Sequence, residues 1–307
     1  MDNFESMTNV DGVITRTADA TVPVMDRGFL YGDSVYEVFR TYDGVPLLYD
    51  EHWKRFENSA RLIHLDLGLT KDQMTDEIRQ TVQATNPVQR NRDVYVRYTV
   101  TRGEGPVDLF PSPELNTRYL IIVRGLTDWN PEFYRMGVRL AIPGTRRNST
   151  TALDPSIKGG NYLNNVLGVI EARALGADDC VMLNDSGFIT EASNSNVFFV
   201  IDGALITPAE SAGHLRGLTK GAVQKVCAVR DLEILSREIS VDDLAATTEC
   251  FVTSATREVM PVLSLRLPEG RTLEYPEGGG PLTRRVMEYY RDFVGAHLQD
   301  YAHLSMF

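Results

Sequence analysis

The sequence predicts a mixed α/β (α+β) protein of two domains, and three observations lead there. Its 307 residues are long for one hydrophobic core and comfortable for two. In both halves of the chain, apolar residues recur at period two in some stretches and at three- and four-residue spacing in others. Between the halves, "RGLTDWNPEFYRMG" carries a proline, a glycine near each end and little periodicity, as a connection does. A small α+β domain is therefore expected over 1–124, an interdomain linker over 125–135 and a larger domain over 136–307.

In the first domain, "SVYEVFRTYDGVPLLYD" alternates Val35, Glu37 and Phe39 on one face with Tyr36, Val38 and Arg40 on the other. It then turns at Asp43-Gly44, which reads as a hairpin. Asp50 is placed to N-cap a helix on which Trp53, Phe56, Ala60 and Ile63 share a face. A second helix is expected over 71–84, and strands near 94–101 and 118–123. In the second domain a strand near 138–142 precedes "DPSIKGGNYLNNVLG", whose lysine stands at the head of a helix carrying Leu163, Val166, Leu167, Ile170 and Ala174. The strands "DCVML", "NVFFVID" and "ALITP" follow, then a helix over about 218–229 and the strand "ECFVTSA". The loop "YPEGGGP" leads into an amphipathic helix in "LTRRVMEYYRDFVGAHL".

Composition removes several function classes. The 31 basic and 42 acidic side chains leave a net charge of −11, which repels nucleic acid and anionic membranes. "MDNFESMTNV" has neither the basic nor the apolar part of a signal peptide, and no apolar run approaches a membrane span, so a cytoplasmic protein is expected. Cys180, Cys227 and Cys250 are isolated, and the five histidines never fall into a ligand spacing, so no disulfide framework and no metal site is expected. There is no GxxxxGK[ST] loop, no GxGxxG after a strand and no GxSxG elbow.

What remains is carried by a few residues. Lys158 sits between Ile157 and the pair Gly159-Gly160. A lysine pressed against apolar surroundings has its ammonium form disfavoured and offers a free amine to carbonyl compounds, while the glycines let backbone or a cofactor come close. Glu191, in "TEASNSNVFFV", stands just before a hydrophobic strand, where a carboxylate can hold a proton on a pyridine nitrogen. In "HLRGLTKGAV", Gly217 opens a helix whose first N–H groups and Thr219 hydroxyl suit a phosphate. Each of these also has a plain reading as a surface lysine, a solvated glutamate or an ordinary helix start.

Taken in order, "IKGGNYLNN", "TEASNSNVFFV", the "GLT" helix start and "FVTSATREVMPV" resemble the class IV, or fold-type IV, pyridoxal-phosphate aminotransferases. "DRGFLYGDSVYEVFRTYDG" and "EHWKRFENSARL" extend the resemblance to the first domain. It implies pyridoxal 5′-phosphate as cofactor, a pseudo-barrel of strands with flanking helices in the larger domain, and at least a homodimer with active sites at the interface between domains. It makes Lys158 the residue that forms a Schiff base with the cofactor and then shuttles the substrate proton. Glu191 would pair with the pyridine nitrogen, Tyr162 with the phenolic oxygen, and Arg55 with the phosphate. Leu218, Thr219, Ser254 and Ala255 would complete the phosphate cup, with Ala255 replacing a common hydroxyl residue, and Ser195 and Asn196 join the cofactor-binding set.

For substrate the motifs are mixed. Arg97 and Arg40 resemble the branched-chain enzymes, where an arginine holds the distal carboxylate of glutamate, so a glutamate/2-oxoglutarate pair is implied. Val38 stands where those enzymes carry glycine, and "YGDSVYEV" resembles D-amino-acid and (R)-amine transaminases. The loop "TRGEGPVDLFP" lacks the arginine and histidine of the D-amino-acid enzymes and offers Val107 and Leu109. The expected activity is branched-chain-type transamination by a ping-pong route, with Tyr31, Tyr36, Val38, Arg40 and Arg97 lining the substrate pocket. D-amino-acid or (R)-amine transamination, aminodeoxychorismate lyase chemistry and a binding module without turnover are the alternatives.

Overall fold

The computed structural model describes residues 5–86, 93–126 and 129–307. The first four residues of the amino-terminal segment and Thr127-Asp128 of the expected linker lie outside them. The chain forms two compact units. The first takes the described residues of Met1–Thr127 with Ile157–Asn161 and Ala296–Phe307, and the second takes those of Asp128–Ser156 and Tyr162–Gly295.

The first unit is built on an antiparallel sheet in the order β2-β1-β6-β5-β3-β4. Its strands are β1 (Met7–Val10), β2 (Val13–Arg16), β3 (Ser34–Tyr42), β4 (Val45–Pro46), β5 (Val94–Thr101) and β6 (Arg118–Gly125). The β3–β4 hairpin turns at Asp43 and Gly44, both at positive φ (49° and 81°), as expected of an Asp-Gly turn. A short helix α1 (Arg27–Tyr31) precedes β3, and α2 (Tyr49–Leu62) and α3 (Lys71–Ala84) follow β4. Phe39 from β3, Tyr98 from β5 and Phe56 and Tyr49 from α2 form one buried aromatic cluster, with Phe56 and Tyr98 edge to face at 5.0 Å.

Asp50 does not cap α2. The residue before the helix is Leu48 in the left-handed region (φ 56°), with no side-chain cap, and Asp50 is ion-paired to Lys71 Nζ at 2.5 Å. The tight exit from the hairpin puts the turn two residues earlier than the side chain suggested. Asp50 still places a negative charge in the first helical turn, where the macrodipole favours it.

The second unit carries a mixed sheet in the order β12-β11-β10-β13-β14-β7-β8-β9, with β15 on β14. The strands are β7 (Val138–Ala141), β8 (Asp179–Leu183), β9 (Ile189–Ala192), β10 (Asn196–Ile201), β11 (Ala204–Pro208), β12 (Ile234–Arg237), β13 (Thr247–Ser254), β14 (Glu258–Arg266) and β15 (Thr272–Glu274). The β7–β8, β7–β14 and β11–β12 pairs are parallel. Helices α4 (Glu132–Arg135), α5 (Leu163–Ala174), α6 (Leu218–Val229) and α7 (Pro281–Asp300) join them. Val181, Ile189, Val197, Phe199, Val252 and Met260 belong to its main core. Strands β8 and β10 are buried at every position, which is why they read as continuous apolar runs. Trp129, Phe133 and Tyr134, from the expected linker, pack against this core as part of the second unit. No helix among the described residues is long and apolar enough to cross a membrane.

Candidate active site

Backbone pairing fixes where Lys158 stands. Residues 157–161 belong to the first unit and lie along β3: Gly160 N donates to Ser34 O at 2.9 Å and Tyr36 N to Lys158 O at 3.0 Å. Lys158 thus stands before α5 on a bridge to β3, outside the 136–307 domain expected from sequence. Close approach is the reason for glycine at 160, where a Cβ would lie 2.3 Å from Ser34 Oγ.

The Lys158 side chain runs over the Tyr36 ring, with Nζ 4.5 Å from the centroid and 3.4 Å from the hydroxyl. Arg97, opposite Val38 on β5, places its guanidinium carbon 3.7 Å from the same centroid. Two basic side chains therefore share one aromatic ring, an amine that can attack a carbonyl and a guanidinium that can hold a carboxylate. Among the other expected pocket residues, Arg40 lies over Tyr42 at 4.1 Å, and Tyr31 faces the Arg27 guanidinium at 4.9 Å.

On the other face of β3, Glu37 is fully buried and takes Arg55 Nε and Nη2 at 2.6 and 2.8 Å and His52 Nδ1 at 2.6 Å. Burial works to raise the Glu37 carboxyl, but the Arg55 charge and the His52 contact outweigh it and hold it far below its usual range. Burial lowers His52 against the pull of Glu37. Neutral His52 then donates through Nδ1–H, and Arg55, expected to meet a phosphate, is pinned as a cation by two bonds to Glu37.

In the second unit Glu191, on β9, is buried. Its Oε1 accepts from Arg147 Nη2 at 3.0 Å and its Oε2 from the Leu215 N–H at 3.2 Å. Arg147 also donates to Asn165 Oδ1 at 3.2 Å, at the start of α5. Arg147 escaped the sequence reading because "TRRN" resembles any basic loop, and its partner lies 44 residues on.

Asn196 Nδ2 donates to the Leu215 carbonyl at 2.9 Å, and a Cβ at Gly217 would lie 1.8 Å from Asn196 Oδ1. Gly217 is the N-cap of α6 and provides no side-chain cap, so the first N–H groups at Leu218 and Thr219 are open to an anion. Ser195 Oγ and Thr253 Oγ1 are buried without a protein partner among the described residues. The turn after β13 is fixed by Ser254 Oγ, which accepts from Arg257 N at 3.2 Å, and by the buried Arg257–Asp179 pair at 2.7 Å; Ala255 lies within that turn. Tyr162 is the N-cap residue of α5. An oriented buried carboxylate, an uncapped helix start and unpartnered buried hydroxyls form a donor and acceptor set that fits a phosphorylated heterocycle.

The family model of class IV amino-transferases matches residues 34–265. The chain belongs to the class IV aminotransferases. These transaminases use pyridoxal 5′-phosphate, and the residues just described fit that group. A Methanocaldococcus jannaschii protein assigned to the branched-chain-amino-acid aminotransferases is 33% identical to this aminotransferase over 283 residues, covering 92% of this chain and 94% of its own. The D-alanine aminotransferase of Staphylococcus haemolyticus is 28% identical over 289 residues, covering 93% of this chain and 96% of its own. Among solved structures, a T.th. branched-chain amino acid aminotransferase with pyridoxamine 5′-phosphate superposes with a TM-score of 0.84 at 26% identity, covering 98% of this chain and 97% of that one. The mixed α/β architecture of the aminotransferase is therefore that of fold-type IV.

Proposed function

We propose that this aminotransferase moves the amino group of a hydrophobic, branched-chain-type L-amino acid to 2-oxoglutarate in two half-reactions of a ping-pong cycle. The observation that carries this reading is the sharing of the Tyr36 ring by Lys158 Nζ and the Arg97 guanidinium. It puts a carboxylate anchor within one side chain of the reactive amine, as a dicarboxylic acceptor requires. Val38, opposite Arg97, and Tyr36 supply apolar surface for a donor side chain.

Pyridoxal 5′-phosphate, when bound, supplies an electron-withdrawing ring conjugated to the substrate nitrogen, which acidifies the substrate Cα–H. Lys158 Nζ would hold the cofactor through its carbonyl group and, once displaced by the incoming amine, would serve as the base and acid for the substrate Cα proton. Glu191 holds the proton at the ring nitrogen, with its carboxylate oriented by Arg147 and the Leu215 N–H. Leu218 and Thr219 N–H groups and Arg55 take the phosphate, with Ser195, Asn196, Ser254 and Ala255 lining the cofactor site. Tyr162 donates to the phenolic oxygen, and Tyr31 and Arg40 extend the substrate pocket. The assembly is a homodimer or larger homo-oligomer, and the three buried, unpaired cysteines support a reducing cytoplasmic setting.

The test is a set of half-reactions followed by cofactor absorbance. L-leucine is expected to convert the cofactor faster than D-alanine or an (R)-amine, to give glutamate when 2-oxoglutarate is added, and to do neither in Lys158→Ala. The D-alanine aminotransferase relative and Val38 favour a second reading, transamination of D-amino acids or (R)-amines. Faster conversion by D-alanine would replace the first reading with it. Pyruvate released from aminodeoxychorismate, without glutamate from leucine, would point to a lyase.

A further inference from the structure

Behind Glu191 lies a buried pair that no step above uses. Lys220, in the first turn of α6, and His214, in the loop before it, are both buried. Lys220 Nζ donates to the Pro208 carbonyl at 2.9 Å and lies 3.0 Å from His214 Nε2. His214 Nδ1 lies 3.0 Å from the Leu215 carbonyl. A carbonyl oxygen only accepts, so Nδ1 carries the proton, and in the neutral ring Nε2 keeps the lone pair that takes a Lys220 N–H. The Pro208 oxygen, also 3.0 Å from Nε2, is served by the ammonium.

The backbone of Leu215 is therefore held at both its carbonyl and its N–H. Its carbonyl accepts from His214 and Asn196, and its N–H donates to Glu191 Oε2 at 3.2 Å. The charged groups around Lys220 are Glu191 from β9 and Glu210 from the turn Glu210–Ala212, which carry Arg147 and Arg216 at 3.0 and 2.8 Å. Burial lowers the Lys220 ammonium to about 8, against the pull of those two carboxylates. A buried ammonium costs stability that an apolar side chain of the same length would not. Its contacts identify what the charge accomplishes: it ties Pro208 to His214, and His214 in turn holds the Leu215 backbone whose N–H meets the carboxylate.

We propose that Lys220 and His214 are positioning residues for Glu191, fixing the Leu215 backbone and so the carboxylate's aim at a protonated ring nitrogen. The ligand they read is a pyridine phosphate ester in its ring-protonated form. This rests on the assignment of Glu191 made under the proposed function.

The probe is 4′-deoxypyridoxine 5′-phosphate, which has the ring nitrogen and phosphate but no carbonyl for Lys158, so its Kd is read by calorimetry without turnover. Lys220→Met is expected to weaken it about tenfold in the parent and by less than about twofold in a Glu191→Gln background, the coupling that a relay through one carboxylate demands. A purely structural role would weaken binding equally in both backgrounds, and that result, or no loss at all, overturns the relay while leaving Glu191 in place. If Glu191→Gln itself leaves the affinity unchanged, the reading of Glu191 fails and the relay with it. Should Lys220→Met not give a folded protein by circular dichroism, His214→Gln, which removes the donor to the Leu215 carbonyl, must show the same dependence on background.

Discussion

Glu37 shows how much a single side chain can organise. Its carboxylate holds Arg55 and His52 together beneath the strand that carries Tyr36. Removing its charge takes away the carboxylate that holds the largely buried Arg55 cation, so Glu37→Gln is expected to cost about 3 kcal/mol in urea unfolding at neutral pH. The pH dependence has a definite sign. The folded value lies below the ordinary 4.5, so the contribution is whole above that pH and is lost as pH falls through the folded value. The gap between parent and variant should therefore narrow in acid, and a gap that stays constant from neutral pH down to pH 3 would refute the assignment. His52 acts in the same direction: its folded value is lowered from 6.5, so the unfolded chain takes up a proton first as pH drops and stability falls. Of these residues, the sequence reading picked out Arg55 from its motif and Glu37 only as one position on a strand face. Their pairing joins positions 18 apart on a strand and a helix, a contact that spacing alone does not display.

Elements defined by a local pattern were legible, and those defined by distant pairing were not. Helix α3 and strands β5, β8 and β11 begin and end where helical spacing, alternation or a continuous apolar run placed them, because each buries what its own residues encode. The β1–β2 hairpin escaped notice although Asp11-Gly12, at φ 50° and 87°, is the same kind of turn as Asp43-Gly44. The residues of 157–161 were read but their pairing was not, since it is made with Ser34 and Tyr36 on a strand more than a hundred residues earlier. At the start of α3, Thr70 accepts from Gln73 N while Gln73 Oε1 accepts from Thr70 N, a capping box. Thr70→Ala should lower stability by about 1 kcal/mol in urea titrations without changing Kd for the cofactor. At the start of α6, Gly217 is needed for space, its φ of −67° being open to any residue. Gly217→Ala would push Asn196 off the Leu215 carbonyl and should weaken pyridoxal 5′-phosphate binding by about tenfold or more. An unchanged affinity would show that Asn196 and the helix start are not part of the phosphate end of the site.

At the scale of the whole molecule, helix α5 presents a surface that the single chain does not use. Leu163, Val166, Leu167 and Ile170 recur at the spacing of one helical face and remain between 46% and 66% exposed. The side that packs inward is formed instead by Asn165, Gly168 and Ala172, with Gly168 lying close to Cys180 and Met182. Small residues let the helix lie tightly on β8, and the large apolar residues are left pointing outward. An uncharged apolar stripe is complementary to itself, so a second copy across a two-fold axis would cover it on both chains at once. Burying the remaining half of such side chains stabilises by roughly 1 kcal/mol each, which four per chain on two chains multiply into enough to hold an association. Sedimentation velocity is expected to find the parent as a dimer or larger assembly and Leu163→Glu/Leu167→Glu as a monomer. The variant's far-ultraviolet circular dichroism should match the parent's, because both exchanged side chains reach solvent on the single chain. A parent that sediments as a monomer would remove the second copy as the occupant of this face, and a variant that still assembles would move the contact elsewhere on the surface.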